Sequence, residues 1–214
     1  AYAYSMRGHT WFSKQQYDKA IADYNEAIRL DPKDAYAYSM RGHTWFSKQQ
    51  YEKAIADFIE SIRLDPKDES TYISRAMAWA LMHEPRKAIA DLEKAIRLRP
   101  DDARAHHFLS GELTMLPGGT RADHEKAVAL ARRACELTGW KDPLHLEALA
   151  AAYASLKDYD SAIEWQKKAN QLFTDPHYRE MGEKMLKLYE KLKEGSERLK
   201  ELRMRLDKFD ADRV

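Results

Sequence analysis

His9 and His43 lie 34 residues apart in the same five-residue setting, HTWFS, each with a serine four places on. His106 and His107 are adjacent, and Cys135 is the single thiol of the 214-residue chain. Imidazole and thiolate are common zinc ligands, and a thiol or hydroxyl beside an oriented imidazole is a common nucleophilic pair. Neither chemistry is completed here. Adjacent histidines point to different faces of a helix, which makes His106 and His107 a poor metal pair. Cys135 falls among Ala131 and Ala134, a setting for core packing rather than reactivity. One cysteine excludes an internal disulfide and a cysteine zinc cluster. A serine or histidine on a helix face lacks the oriented base and oxyanion donors that catalysis needs. The sequence holds no phosphate-cradling glycine loop, no HExxH and no cysteine-nucleophile motif. The expectation is a chain that is not an enzyme, with no metal and no cofactor.

The elements that carry these side chains recur with one period. The first seventeen residues, AYAYSMRGHTWFSKQQY, return letter for letter at Ala35. Residues 1–34 and 35–68 differ at four places only: Asp18 against Glu52, Tyr24 against Phe58, Asn25 against Ile59 and Ala27 against Ser61. Residues 69–102 follow the same frame more loosely. The units close on Asp31-Pro32-Lys33-Asp34, Asp65-Pro66-Lys67-Asp68 and Arg99-Pro100-Asp101-Asp102. Proline there cannot continue a helix, and aspartate suits a turn or the next N-cap. Within a unit, Tyr4, Gly8 and Trp11 share one helix face, and Ala20, Tyr24, Ala27 and Ile28 form a second apolar stripe. Lys14-Gln15-Gln16 turns between them. The small Gly8 and Ala20 let two helix backbones approach, with the aromatics filling the space beside them. Successive helix pairs stack at ~10 Å, so His9 and His43 cannot both stand at about 2 Å from one zinc.

The pattern Tyr4-x-x-Arg7-Gly8-x-x-Trp11, then Ala20, Tyr24, Ala27 and Pro32, resembles the tetratricopeptide repeat, whose period is 34. The second unit matches through Tyr38, Gly42, Trp45, Ala54, Phe58 and Pro66, with Ser61 in a usual alanine place. The third matches through Tyr72, Ala76, Trp79, Ala88, Leu92, Ala95 and Pro100. The resemblance implies an all-α fold, a right-handed α-solenoid of helix-turn-helix repeats with a C-terminal capping helix. It is departed from at Arg7, Arg41 and Arg75, where the family usually has leucine. Each of these units also carries an aspartate on its second helix, Asp23, Asp57 and Asp91. The later units are apolar at both places, Leu109 with Leu130 and Leu149 with Trp165. An unpaired buried arginine is costly, so the joint switch predicts an Arg–Asp pair within each of the first three repeats.

A fourth unit runs through His106, Leu109, Leu113, Ala127, Ala131 and Ala134, with a longer turn holding Leu116-Pro117-Gly118-Gly119. A fifth fits Leu146, Leu149, Ala150, Tyr153, Ala162 and Ala169, after a stop and fresh start at Thr138–Pro143. The array is therefore bounded at 1–34, 35–68, 69–102, 103–142 and 143–175. Tyr178, Met181, Met185, Leu188, Leu192, Leu199, Leu202, Leu206 and Phe209 then keep heptad spacing, with Gly195 in the missing slot. Residues 176–194 are expected to cap the array and 195–214 to form a helical tail. Either Gly195 ends the capping helix, or one helix runs through and its second half is a coiled-coil handle.

Basic and acidic residues balance to a net charge of +1, and units one to three hold sixteen of each. Nucleic-acid binders carry a basic surplus, so no nucleic acid is expected. No apolar run is long enough to span a bilayer, so no membrane is expected. The chain opens at Ala1 without Met or signal peptide, which reads as a mature or trimmed chain; with its lone cysteine, the expected location is cytoplasmic. Stacked helix pairs of this family curve into a superhelix lined by the first helix of each unit. The lining stripe is Tyr2, Ser5, His9 and Phe12 in unit one and Tyr36, Ser39, His43 and Phe46 in unit two. In unit three it is Ser70, Ile73, Met77, Ala80 and Leu81. Aromatics among serine and histidine suit a peptide ligand. The family binds peptide segments or helices of other proteins in this groove, so the expected partner is a protein or peptide. The Lys, Asn and Arg clamp that some relatives use on acidic chain ends is missing: Ser5, His9, Met40, Ser70 and Ser74 stand there. The alternative is self-association, through the C-terminal stripe or through an open apolar edge at Ala3, Met6 and Thr10.

Overall fold

The structure, a computed structural model, describes residues 1–211, with side chains to residue 204. The described residues form eleven α-helices and no strand. They pair as hairpins: α1 (Tyr2–Ser13) with α2 (Tyr17–Leu30), α3 (Ala35–Ser47) with α4 (Tyr51–Leu64), and α5 (Glu69–Leu81) with α6 (Pro85–Leu98). Then follow α7 (Ala103–Thr114), α8 (Arg121–Leu137), α9 (Pro143–Ser155), α10 (Tyr159–Leu172) and α11 (Pro176–Ala211). The chain divides into two compact units, Ala1–Glu112 and Leu113 onward, a division that falls near the end of α7.

In the first unit the aspartates of the repeat-closing turns cap the next helix. Asp34 accepts from the Ala37 amide at 3.0 Å and Asp68 from the Ser70 amide at 3.1 Å. Each satisfies an amide that the helix start leaves open. The turn inside each hairpin reverses the chain through one left-handed residue: Gln15, Gln49 and His83 have φ of 58°, 60° and 59°.

The core repeats as well. Ala20, Ala54 and Ala88 are fully buried, and the bulkiest residue beside them shrinks from Tyr24 through Phe58 to Leu92. Opposite these three stand Gly8, Gly42 and Ala76. A Cβ added at Gly8 would lie 2.9 Å from the Tyr24 ring, and one at Gly42 2.7 Å from the Phe58 ring. The glycines therefore make room chiefly for an aromatic ring, and at Gly42 the backbone carbonyl oxygen of Ala54 also comes within 3.3 Å. Where leucine replaces the ring, alanine fits.

All three Arg–Asp pairs form, each through two parallel hydrogen bonds from one guanidinium to one carboxylate. Each arginine also lies over the tyrosine one turn before it, Tyr4, Tyr38 or Tyr72, at 5.2–5.8 Å. Arg41 reaches further, to Asn25 of the preceding repeat at 2.6 Å. That contact gives the Asn25/Ile59 difference a structural meaning.

In the second unit, Thr120 and Asp123 close a capping box at the start of α8, and Asp142 and Asp158 cap α9 and α10. The Arg–Asp places here are apolar: Leu149 is fully buried and Trp165 is half-buried against Ala150 and Ala162. The final helix α11 runs unbroken through Gly195, 36 residues long, or about 54 Å at 1.5 Å per residue. It covers the hairpin with Met185 and Tyr189, the latter set on Ala150 and Ala162, and Gly182 closes against Asn170 and Gln166. Of the heptad stripe expected to do this, Met185 makes the contact. Met181, Leu188, Leu192, Leu199 and Leu202 are exposed, because Gly182 and Tyr189 fit the hairpin more closely. Leu206 and Phe209 of that stripe lie outside the described side chains.

Candidate functional site

Within the first unit, α1, α3 and α5 pack in succession and form one wall. Tyr2 and His9 on α1 and Tyr36 on α3 are exposed there. Phe12 and Phe46 are half-buried, each tilted onto the tyrosine that opens the second helix, Tyr17 at 5.8 Å and Tyr51 at 5.5 Å. Ser5, Ser39 and Ile73 lie beneath the surface. Ser5 Oγ donates to Asp34 at 3.2 Å, and Ser39 Oγ bonds Thr71 Oγ1 at 3.1 Å. The two serines join hairpin to hairpin, and none of the three offers an open contact.

His9 and His43 share their sequence surroundings but not their environment. His43 is half-buried, edge-on to Phe58, with Nε2 2.8 Å from Ser74 Oγ. Ser74 spends its own proton on the Ser70 carbonyl at 2.9 Å, so the Nε2–H of His43 donates to it. Burial holds the His43 imidazole below its ordinary pKa. The neutral ring is a packing element. No group of three or more metal-ligating side chains comes together among the described residues, and no helix there is long and apolar enough to cross a membrane.

The wall deepens at its C-terminal end. Between α5 and α7 lies a cleft of about 210 Å³, floored by Ala76, Ala80 and Leu92 and walled by Met77, Leu81 and Phe108. Leu81 is 50% exposed although it is apolar. Glu112 closes the rim. Burial pushes its carboxyl above the usual glutamate value. The cleft can take an apolar group and present it with one carboxylate.

The sequence places Met77, Ala80 and Leu81 on this wall but gives no sign of Phe108 and Glu112. The two sit four residues apart, hence on one face of α7, at the places that Met6 and Thr10 hold in the first repeat, beside the stripe read as the lining rather than on it. In the second unit, Trp140 stacks on Trp165 at 5.1 Å beside a shallower recess. Lys168 lies over the Trp165 ring at 3.9 Å, so its own chain covers one face of that ring, while the recess beside it, about 370 Å³, stays open.

Comparison with known proteins starts from the repeats. Family profiles described as the TPR repeat and the tetratricopeptide repeat match residues 8–46 and 35–68, and a further tetratricopeptide-repeat profile matches residues 146–175. No curated protein is significantly similar in sequence. Among solved structures, the MamA protein is similar with a TM-score of 0.70 at 22% identity, over 79% of this chain and 90% of that one. YrrB, described as a TPR protein with an unusual peptide-binding site, has a TM-score of 0.69 at 19% identity, over 85% and 90%. The first TPR of Spaghetti (RPAP3), solved with the HSP90 peptide SRMEEVD, has a TM-score of 0.51 at 22% identity, over 51% and 87%. Repeat sequence and fold thus agree, and the chain carries tetratricopeptide repeats, matched at residues 8–68 and 146–175.

Proposed function

We propose that this protein is a non-catalytic interaction scaffold that takes a peptide or helix of a partner protein along the wall of first helices. The observation that carries this is the open apolar cleft at Met77, Leu81 and Phe108, on the same wall as the exposed Tyr2, His9 and Tyr36. A monomer gains nothing from leaving such a cleft uncovered, and concave apolar surface beside exposed aromatics is where partner segments anchor. The peptide-binding descriptions of YrrB and of the Spaghetti domain support the reading. Phe12, Phe46 and Met77 border the path, Ser5 and Ser39 hold it in place, and Ile73 is buried beneath it.

The test is selection of a random peptide library on the whole chain, followed by binding to Leu81→Asp. Leu81 is half exposed, so the variant keeps its fold, checked by circular dichroism. Binding weaker by about tenfold or more is expected for a central anchor contact. Equal binding to both chains would overturn the proposal.

One observation favours a second reading, self-association: the exposed stripe from Met181 to Leu202 on α11. Lys184, Lys191 and Arg198 follow one another at heptad spacing along one edge of that stripe. An antiparallel second copy would set these bases against each other. Light scattering over a tenfold concentration range, on this chain and on one ended at Glu194, decides between the two. Association lost on truncation would favour the stripe; a constant monomer would remove this reading.

A further inference from the structure

The cleft between α5 and α7 is too small for a whole cofactor or drug-sized molecule, which need roughly 300 Å³ or more. At about 210 Å³ it fits one large side chain. Its lining is apolar except at the rim, and Met77 gives one wall a flexible, adaptable surface. The Glu112 carboxylate at that rim has no hydrogen bond and no ion pair among the described residues, yet the residue is half-buried. Other acids of this unit are already engaged: Asp91 by Arg75, Glu69 by Arg99 and Asp102 by Arg104. A carboxylate withdrawn from water without a partner is costly, and a cation brought by a ligand relieves that cost while an anion adds to it.

We propose that the cleft selects a basic–apolar peptide segment, one whose large aliphatic or aromatic side chain fills the space between Met77, Leu81 and Phe108 while a lysine or arginine within four residues of it pairs with Glu112. The inference rests on the groove reading above and adds the chemistry of the ligand. It is the opposite preference from a clamp for acidic chain ends, consistent with the absence of lysine and arginine from Ser5, His9, Met40, Ser70 and Ser74.

The experiment selects one random dodecapeptide library, displayed on phage, on the whole chain and on its E112Q and E112K variants. Every variant is checked for unchanged helicity. Peptides that bind the native chain and lose binding on Leu81→Asp are expected to carry a large apolar residue with Lys or Arg within four positions, several-fold above the library frequency. On E112Q the basic preference should vanish while the apolar one stays. On E112K it should turn acidic. Leu81-dependent peptides with no basic preference, or with the same preference on E112Q, would overturn the ligand chemistry and leave the groove standing. If no selected peptide depends on Leu81, groove and ligand chemistry fall together.

Discussion

The guanidinium of Arg75 holds the carboxylate of Asp91 through two parallel hydrogen bonds, 2.8 Å from Nε and 2.6 Å from Nη2. The pair links the two helices of one hairpin, and its side chains are only 18% and 9% exposed. Asp91→Ala would leave a largely buried guanidinium without its anion. A cost of about 2–3 kcal/mol is expected in urea unfolding, below the range for fully buried pairs because some water reaches Arg75. Changing both residues to leucine, the character of Leu149 and Trp165 in the fifth repeat, should recover most of it. Asp23→Ala should cost less than Asp91→Ala, because Arg7 is 58% exposed.

Gly42 and Phe58 are matched in size. Gly42→Ala would put a methyl carbon 2.7 Å from the Phe58 ring and should destabilise by about 1–3 kcal/mol. Adding Phe58→Leu recreates the Ala76–Leu92 pairing of the third repeat. The double variant should be more stable than Gly42→Ala alone, a coupling that a double-mutant cycle measures.

The Tyr24 hydroxyl is buried and has no hydrogen-bond partner, while Phe58 fills the same place one repeat later. Tyr24→Phe should therefore be neutral or stabilising by up to about 1 kcal/mol, and Phe58→Tyr should cost about 1–3 kcal/mol. Thermal unfolding of the two variants checks the asymmetry.

Stability should depend on pH in two opposite ways. Glu112 is held above the ordinary glutamate value by burial, so its ionisation opposes folding at neutral pH and the penalty fades as pH falls through its folded value. Glu112→Gln should thus stabilise at pH 7 and make no difference below about pH 4. Asp102 is held low by hydrogen bonds from Arg104 against the opposing effect of burial. Its contribution is present above the ordinary aspartate value and lost as pH falls below about 4. Unfolding midpoints from pH 3 to pH 8 separate the two.

What could be read without coordinates follows from how each feature is encoded. Helix ends were legible because Asp34 and Asp68 act within three residues of themselves. The Arg–Asp pairs were legible because both places change character together along the chain. Gly8 reads as a site of close approach, but which group approaches, the Tyr24 ring, is fixed by three-dimensional packing. The covering face of α11 is legible only in part for the same reason: heptad spacing marks an apolar stripe that includes Met185, whereas Gly182 and Tyr189 fit the shape of the hairpin beneath. Ser5 and Ser39 sit on the expected helices, one step inside the expected surface. Glu112 carries no local signal, since its significance comes from the apolar side chains that α5 and α6 bring to it.

The most direct measurement is amide hydrogen exchange of the whole chain, alone and saturated with a Leu81-dependent peptide. Added protection along α3, α5 and residues 103–112, with α4, α6 and α11 unchanged, is the result predicted for a partner segment held on the wall of first helices. Protection confined to α11, or to the second helices of the hairpins, would contradict it.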